Sequence, residues 1–208
     1  LNSFTNTVAQ ANINSFGDIV VTGSAAANNV YNFVFLAMNA FCIAAMTMVG
    51  QNYGAGNYER IKRPIIESTI MVIVSGILVA GVIVIFHEPL LSIYAPGHDA
   101  VSVAVREAGF VKLLYIGCPY FLAGIGECLA MSLKGMGRPV IPMVVSLVCS
   151  SALRLLWIYT LCQMFSDNII LLYLSYPTLW ILTLVIYVSI TVSVYRKEAK
   201  KQRSALLA

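Results

Sequence analysis

The sequence predicts an all-α integral membrane protein: a polytopic bundle of five complete transmembrane helices plus a truncated first one. Three observations carry this expectation. Of 208 residues 59% are hydrophobic and only 11% charged, whereas a soluble domain is about one quarter charged. The mean hydropathy is +0.83. Uncharged runs long enough to cross a bilayer, about 20 residues, recur along the chain. This balance argues against a soluble enzyme and against a disordered chain.

Residues 1–16 are polar for a span, with Asn2, Asn6, Gln10, Asn12 and Asn14. They read as the end of a helix whose polar face meets protein or water. Spans are expected over 19–49, 65–86, 111–133, 141–165 and 169–195, followed by a basic cytoplasmic tail over 196–208. Glu127 interrupts the fourth and Arg154 the fifth. Phe16-Gly17-Asp18, Gly50 to Gly56, Glu88-Pro89 with Ala95-Pro96-Gly97, Gly135 to Pro139, and Ser166-Asp167-Asn168 are turn material. Each connection is short, so one compact bundle is expected. Pro119 and Pro177 are expected to interrupt their helices, and Pro119 frees the carbonyl of Tyr115.

Lysine and arginine fix the expected orientation. Ten of the thirteen lie in alternate loops: Arg60, Lys62 and Arg63; Lys134 and Arg138; Arg196, Lys197, Lys200, Lys201 and Arg203. The intervening turns hold Asp18, His87, Glu88, His98, Asp99 and Asp167, with Arg106 and Lys112 as exceptions. Both ends are thus expected to face the cytoplasm across the inner (plasma) membrane. The tail is expected to stop transfer and bind anionic membrane lipid, and no nucleic-acid partner is expected. The N-terminus lacks a basic segment followed by an apolar one, so insertion is expected to depend on the spans.

Five cysteines (Cys42, Cys118, Cys128, Cys149, Cys162) lie in apolar runs without a CxxC spacing, which predicts small buried hydrophobes rather than disulfides or a zinc site. His87 and His98 lack HExxH spacing and read as solvated loop residues, so no metal is expected. No nucleophile constellation appears, so no enzyme activity and no cofactor is expected.

The most specific segment is Gly50-Gln51-Asn52-Tyr53-Gly54-Ala55-Gly56-Asn57-Tyr58-Glu59-Arg60-Ile61-Lys62-Arg63. It is no phosphate loop, because GxxxxGK[ST] and GxGxxG are both missing and a helix precedes it. Glycines that end a helix and turn the chain, before a basic segment on the inner membrane face, account for it better. The segment closely resembles the GQNxGAGxxxRxKR loop of the multidrug and toxic compound extrusion (MATE) transporters, between their eighth and ninth helices. Ile13 to Gly17 is similar to the end of the family's seventh helix, and Asn29-Val30-Tyr31-Asn32-Phe33 falls where the eighth places polar and charged residues. Leu133 to Pro139 is similar to the LRGxGxxxxP turn, with Lys134 for the usual Arg. Arg154 to Tyr159 and Ser175 to Trp180 are similar to the last two helices of bacterial members.

The resemblance implies the C-terminal six-helix lobe of a twelve-helix antiporter, with the N-terminal lobe as its missing partner. The implied activity is export of cationic or amphipathic drugs and toxic compounds in exchange for protons or sodium ions. Flipping of a lipid-linked precursor is the alternative within the superfamily, and a cavity rich in basic residues would favour it; a non-transporting half-protein is another. An ionisable group at membrane depth is costly, by about 2.5–3.5 kcal/mol on insertion scales, so it marks a functional site by default. Glu127 is therefore the leading substrate- or ion-binding residue, on one helix face with Tyr120 and Ala123. Asn29, Tyr31, Asn32 and Gln10 are the polar candidates around it. Arg154 is expected to be a structural donor between helices, level with Tyr120 and Pro119 and about 10 Å from the level of Glu127. The resemblance also places family acids at Ala123 and Tyr31, where this chain has none.

Overall fold

A computed structural model describes the backbone of residues 2–162 and 168–207. All regular structure among them is helical. Helix α1 (Asn2–Asn14) ends at Gly17, whose φ of +91° suits glycine, and Asp18 then opens α2 (Asp18–Gly54). At 37 residues α2 is about 55 Å long, well beyond the hydrocarbon core. Its buried face repeats every three or four residues through Ala27, Val34, Met38, Cys42, Ala45 and Val49, each at most 1% exposed. Around it pack α3 (Lys62–Ile85), α5 (Ala100–Lys112) and α6 (Tyr120–Gly135), with α4 (His87–Ser92) bridging α3 and α5. Helices α7 (Val140–Val145) and α8 (Leu153–Trp157) follow, and α9 (Ile169–Leu207) closes the bundle.

Lipid is as apolar as leucine, so close van der Waals packing holds such helices together. Gly135 on α6 meets α2 backbone to backbone: a Cβ there would lie 2.6 Å from the Met46 carbonyl oxygen and 3.2 Å from the Gly50 nitrogen. Gly124 on α6 fits against Met38. Outward from this core, α3 shows Ile77, Leu78 and Ile85 and α9 shows Ile181 and Val185 as exposed apolar surface, the surface a bilayer covers.

Four helices are long and apolar enough to cross a membrane: Asp18–Gly54, Tyr58–Ile85, Val140–Thr160 and Ile169–Lys200. The bent pair Ala100–Gly117 and Tyr120–Gly135, which meet at 41°, together also reach the length and apolarity of a span. Several details differ from expectation. The span expected over 111–133 begins near Ala100, because Asp99 caps a helix that sequence hydropathy does not mark. The span expected over 141–165 is not a uniform α-helix but widens into π turns at Ser146–Ala152 and Ile158–Cys162; its expected end at Phe165 and the turn residues Ser166 and Asp167 lie outside the described residues. Pro177 sits inside a continuous α9 rather than interrupting it, with the Ser175 and Thr178 hydroxyls donating to the Leu172 and Leu174 carbonyls.

The tail is also different. Instead of leaving the bundle at 196, α9 runs on to Leu207, and Arg138 Nη2 donates to Glu198 Oε1 at 2.7 Å. The Glu59 amide donates to Gln202 Oε1 at 3.2 Å. These contacts bring the three basic clusters to one end of the molecule. The side chains of Lys201 and Arg203 lie outside the described residues.

In the loop motif, Gly50 is not a turn residue but part of α2, facing Gly135, and Gln51 is likewise helical. Gly54 ends the helix without positive φ; only Gly56 of that loop has it, at +71°. Arg60 lies in the 3-10 turn Tyr58–Ile61 that leads into α3.

Candidate functional site

The bend at Pro119 organises the site. Proline lacks the N–H that would continue α5, so the chain widens into a π turn over Leu113–Gly117, with the Cys118 amide donating to the Leu113 carbonyl at 2.9 Å. Helix α6 then starts at Tyr120 with a new axis. Its face carrying Tyr120, Ala123 and Glu127 borders cavities on more than one side.

One cavity, of about 360 Å³, lies where α1, α2, α5, α6, α8 and α9 converge. Of the expected residues it gathers Gln10, Tyr31, Tyr120 and Arg154, and it adds Asn6, Asn28, Lys112, Tyr176 and Trp180. The rings form a chain: Tyr31 to Tyr120 at 5.3 Å, Tyr120 edge-on to Trp180 at 5.3 Å, and Trp180 to Tyr176 at 6.0 Å. Arg154 is 7% exposed, with its guanidinium 4.1 Å from the Tyr176 ring centroid and Nη1 donating to Asn6 Oδ1 at 3.4 Å. Lys112 is 3% exposed; its Nζ donates to the Ser24 carbonyl at 3.3 Å and lies 5.9 Å from the Tyr173 ring. The Tyr31 hydroxyl donates to Asn28 Oδ1 at 2.9 Å, and Gln10 Nε2 donates to Asn14 Oδ1 at 3.0 Å.

A second cavity of about 360 Å³ lies between α6, α7 and α9 and contains Glu127 and Lys134, with Ser146, Thr183 and Tyr187 as polar lining. Glu127 Oε1 is 3.8 Å from Lys134 Nζ, with both side chains about two fifths exposed. A pair this open contributes little to stability. The same carboxylate also borders a smaller space of about 190 Å³ beside Asn39 and Cys42 of α2. Glu127 is thus half-buried at a cavity mouth rather than enclosed.

Two further expectations are corrected. Asn29 and Asn32 are exposed and absent from the lining of this cavity; at 100° per residue Asn29 points about 130° from the mean direction of Asn28 and Tyr31, and Asn32, next to Asn28 on the helix, about 70°. His87 is not a solvated loop residue: it stacks on Phe110 at 3.9 Å, and its Nδ1 lies 2.8 Å from the Val84 carbonyl oxygen. His98 is exposed. No metal-ligating cluster occurs among the described residues. Cys42, Cys128 and Cys149 are buried free thiols and Cys118 is half-buried; the side chain of Cys162 lies outside the described residues.

Lys112, at the start of the span expected over 111–133 and counted by its charge with the turns, is buried against α2. The signal was present: a lysine against the charge rule, next to an apolar run, is a candidate for burial.

Fold and site together define a multi-pass helical membrane protein whose spans enclose polar cavities. The sequence model of the MatE family matches residues 1–160, and the chain belongs to that family. It is similar to the probable multidrug resistance protein NorM of Thermotoga maritima, 26% identical over 127 residues, which is 61% of this chain. The match spans 26% of that relative's own length.

Proposed function

We propose that this chain is the C-terminal lobe of a secondary active exporter that moves amphipathic aromatic compounds, cationic drugs among the expected classes, out of the cell in exchange for protons or sodium ions. The observation that carries this reading is α6. Within an apolar bundle, one bent helix presents Tyr120, Ala123 and Glu127 to polar cavities on its two sides. Bent spans and irregular backbone at membrane depth belong where they line a water-filled path. Glu127 is the residue for the exchanged ion, since a half-buried carboxylate takes up H⁺ or Na⁺ and releases it when the path opens to the other side.

A polar stripe supports a second lobe. Thr22, Asn29 and Asn32 are exposed on one face of α2, and the half-buried Asn39 continues the same line. A face of amides against lipid is costly. Covering it with a partner lobe or a water-filled cleft removes that cost. Lys112, in the same cavity as Arg154, gives the alternative, flipping of a lipid-linked precursor, a basis it lacked in the sequence. No catalytic role is proposed for any residue.

The orientation proposed is with the three basic clusters, and so the C-terminus, in the cytoplasm of the inner membrane. In a background without native thiols, a cysteine at Asn57 should label only from inside and one at His98 only from outside; labelling of both from one side refutes it.

The exchange reading is tested by Glu127→Gln in the full natural chain. Export of aromatic compounds from energised vesicles is expected to fall by about 5- to 150-fold, the range of a coupling energy, with membrane expression intact. Undiminished export with unchanged pH and sodium dependence would remove Glu127 from the mechanism.

A further inference from the structure

The cavity around Arg154 carries a charge that a cation exporter does not need. Among the described residues no Asp or Glu lines it, and neither Arg154 nor Lys112 forms an ion pair. A guanidinium does not lose its proton in a protein, so the cavity holds at least one fixed positive charge. Its present partners, the Asn6 amide oxygen and the Tyr176 ring, are uncharged, and Arg154 Nε is buried without a hydrogen-bond partner. A buried cation left in this state is costly, and an anion in the cavity would offset that cost. The remaining lining is suited to an aromatic body, since Tyr31, Tyr120, Tyr176 and Trp180 present ring faces and edges. Asn28 and Gln10 supply amide groups beside them. A volume of about 360 Å³ falls within the range of small-molecule sites.

We infer that this cavity is a binding site for an aromatic organic anion, a carboxylate or sulfonate on one or two fused rings, held by Arg154 and Lys112 and packed among the tyrosines and Trp180. The inference deepens the exporter reading and rests on it, by naming the substrate class of one cavity. The charge arrangement then gives two sites of opposite preference in one lobe, with the exchanged cation at Glu127 and the anion beyond Tyr120. Positive charge alone would also attract the pyrophosphate of a lipid precursor; the ring chain favours the aromatic ligand, because a pyrophosphate gains nothing from four aromatic walls.

The test is equilibrium binding of radiolabelled 2-naphthoate to the full natural chain in nanodiscs of zwitterionic lipid, with empty nanodiscs subtracted. Competitors are 2-naphthylmethylammonium, which keeps the ring and reverses the charge, and a short-chain isoprenyl pyrophosphate. Saturable naphthoate binding is expected, with the ammonium at least about tenfold weaker as a competitor. Arg154→Gln and Lys112→Gln should each weaken naphthoate binding by about tenfold or more, as loss of a charged hydrogen-bond donor does. Arg154→Lys and Lys112→Arg should keep the preference for the anion, which holds the test open if the neutral variants fold poorly. Absent naphthoate binding, an ammonium that competes as well or better, or neutral variants that fold and bind within about twofold of the parent would overturn the inference. Stronger competition by the isoprenyl pyrophosphate would overturn the aromatic assignment in favour of a lipid headgroup. Binding without export would instead count against the exporter reading, and export with cation-selective binding against the anion site.

Discussion

Two cavities, each of about 360 Å³, border α6 and share Ala123 and Trp180 in their walls, yet one holds only positive side chains and the other a carboxylate beside an ammonium. In the basic one, Lys112 and Arg154 come from α5 and α8, are more than nine tenths buried, and meet only a carbonyl, an amide oxygen and a ring, with Arg154 Nε left without a partner. In the acidic one, Glu127 stands on α6 itself, about two fifths exposed, with Lys134 as a loose counter-ion. The difference lies in desolvation: the carboxylate at the mouth keeps part of its surface open, while the ammonium and the guanidinium do not. A buried guanidinium with neutral partners is a fixed charge, and what can change is the ligand it attracts.

The largest effect is expected where both cavities depend on one contact. Gly135→Val places a branched side chain against the Met46 carbonyl and forces α6 from α2. The cost is about 3 kcal/mol. A melting temperature lower by roughly 6–12 °C is expected in detergent, with binding and export lost together. Unchanged melting would show that α2 and α6 are not in backbone contact there.

A smaller change should separate the cavities. Glu198→Ala breaks the pair with Arg138, whose neighbour Pro139 lines the acidic cavity. Arg138 is one third exposed and keeps some water, so the cost is about 1–2 kcal/mol, less than for a fully buried pair. Thermal unfolding and the ion dependence of export should both shift, while naphthoate affinity stays. A loss of naphthoate affinity instead would show that the cavities are coupled.

The smallest effect belongs to the N-terminal end of α5, the helix that carries Lys112. Asp99 caps it, with its carboxylate accepting from the Ser102 amide at 3.3 Å and the Ser102 hydroxyl at 2.7 Å. These bonds hold the Asp99 carboxyl below the usual carboxylate range. Because its folded pKa is the lower one, the stabilisation is present above the ordinary aspartate range and lost as pH falls through the depressed folded value. Asp99→Ala should therefore lower the melting temperature slightly at neutral pH, with the difference from the parent closing in acid. A difference that persists unchanged in strong acid would exclude the carboxylate as the cause.

The spans were legible because bilayer thickness imposes a run length that hydropathy reveals directly, as over Asp18–Gly54 and Ile169–Lys200. The loop motif likewise located a helix end and identified the family before any coordinates. Tyr31, Tyr120, Gln10 and Arg154 could be chosen as polar groups in apolar surroundings, and they do share a cavity.

Rotation about a helix axis was not legible. In a soluble helix polar residues mark the outward face, but here the core face and the lipid face are both apolar, so sequence could not say that Asn28 turns inward while Asn29 and Asn32 turn out. Nor could it say that Gly50 and Gly135 are a contact rather than two turns. Sequence alone determined the membrane class and the family, because local hydropathy and motifs specify them. Only the tertiary structure decided that Lys112 is buried beside the site, since that depends on α5 packing its last turn against Ser24 of α2. Charge in a membrane protein is placed by its neighbours in space, and hydropathy along the chain does not contain them.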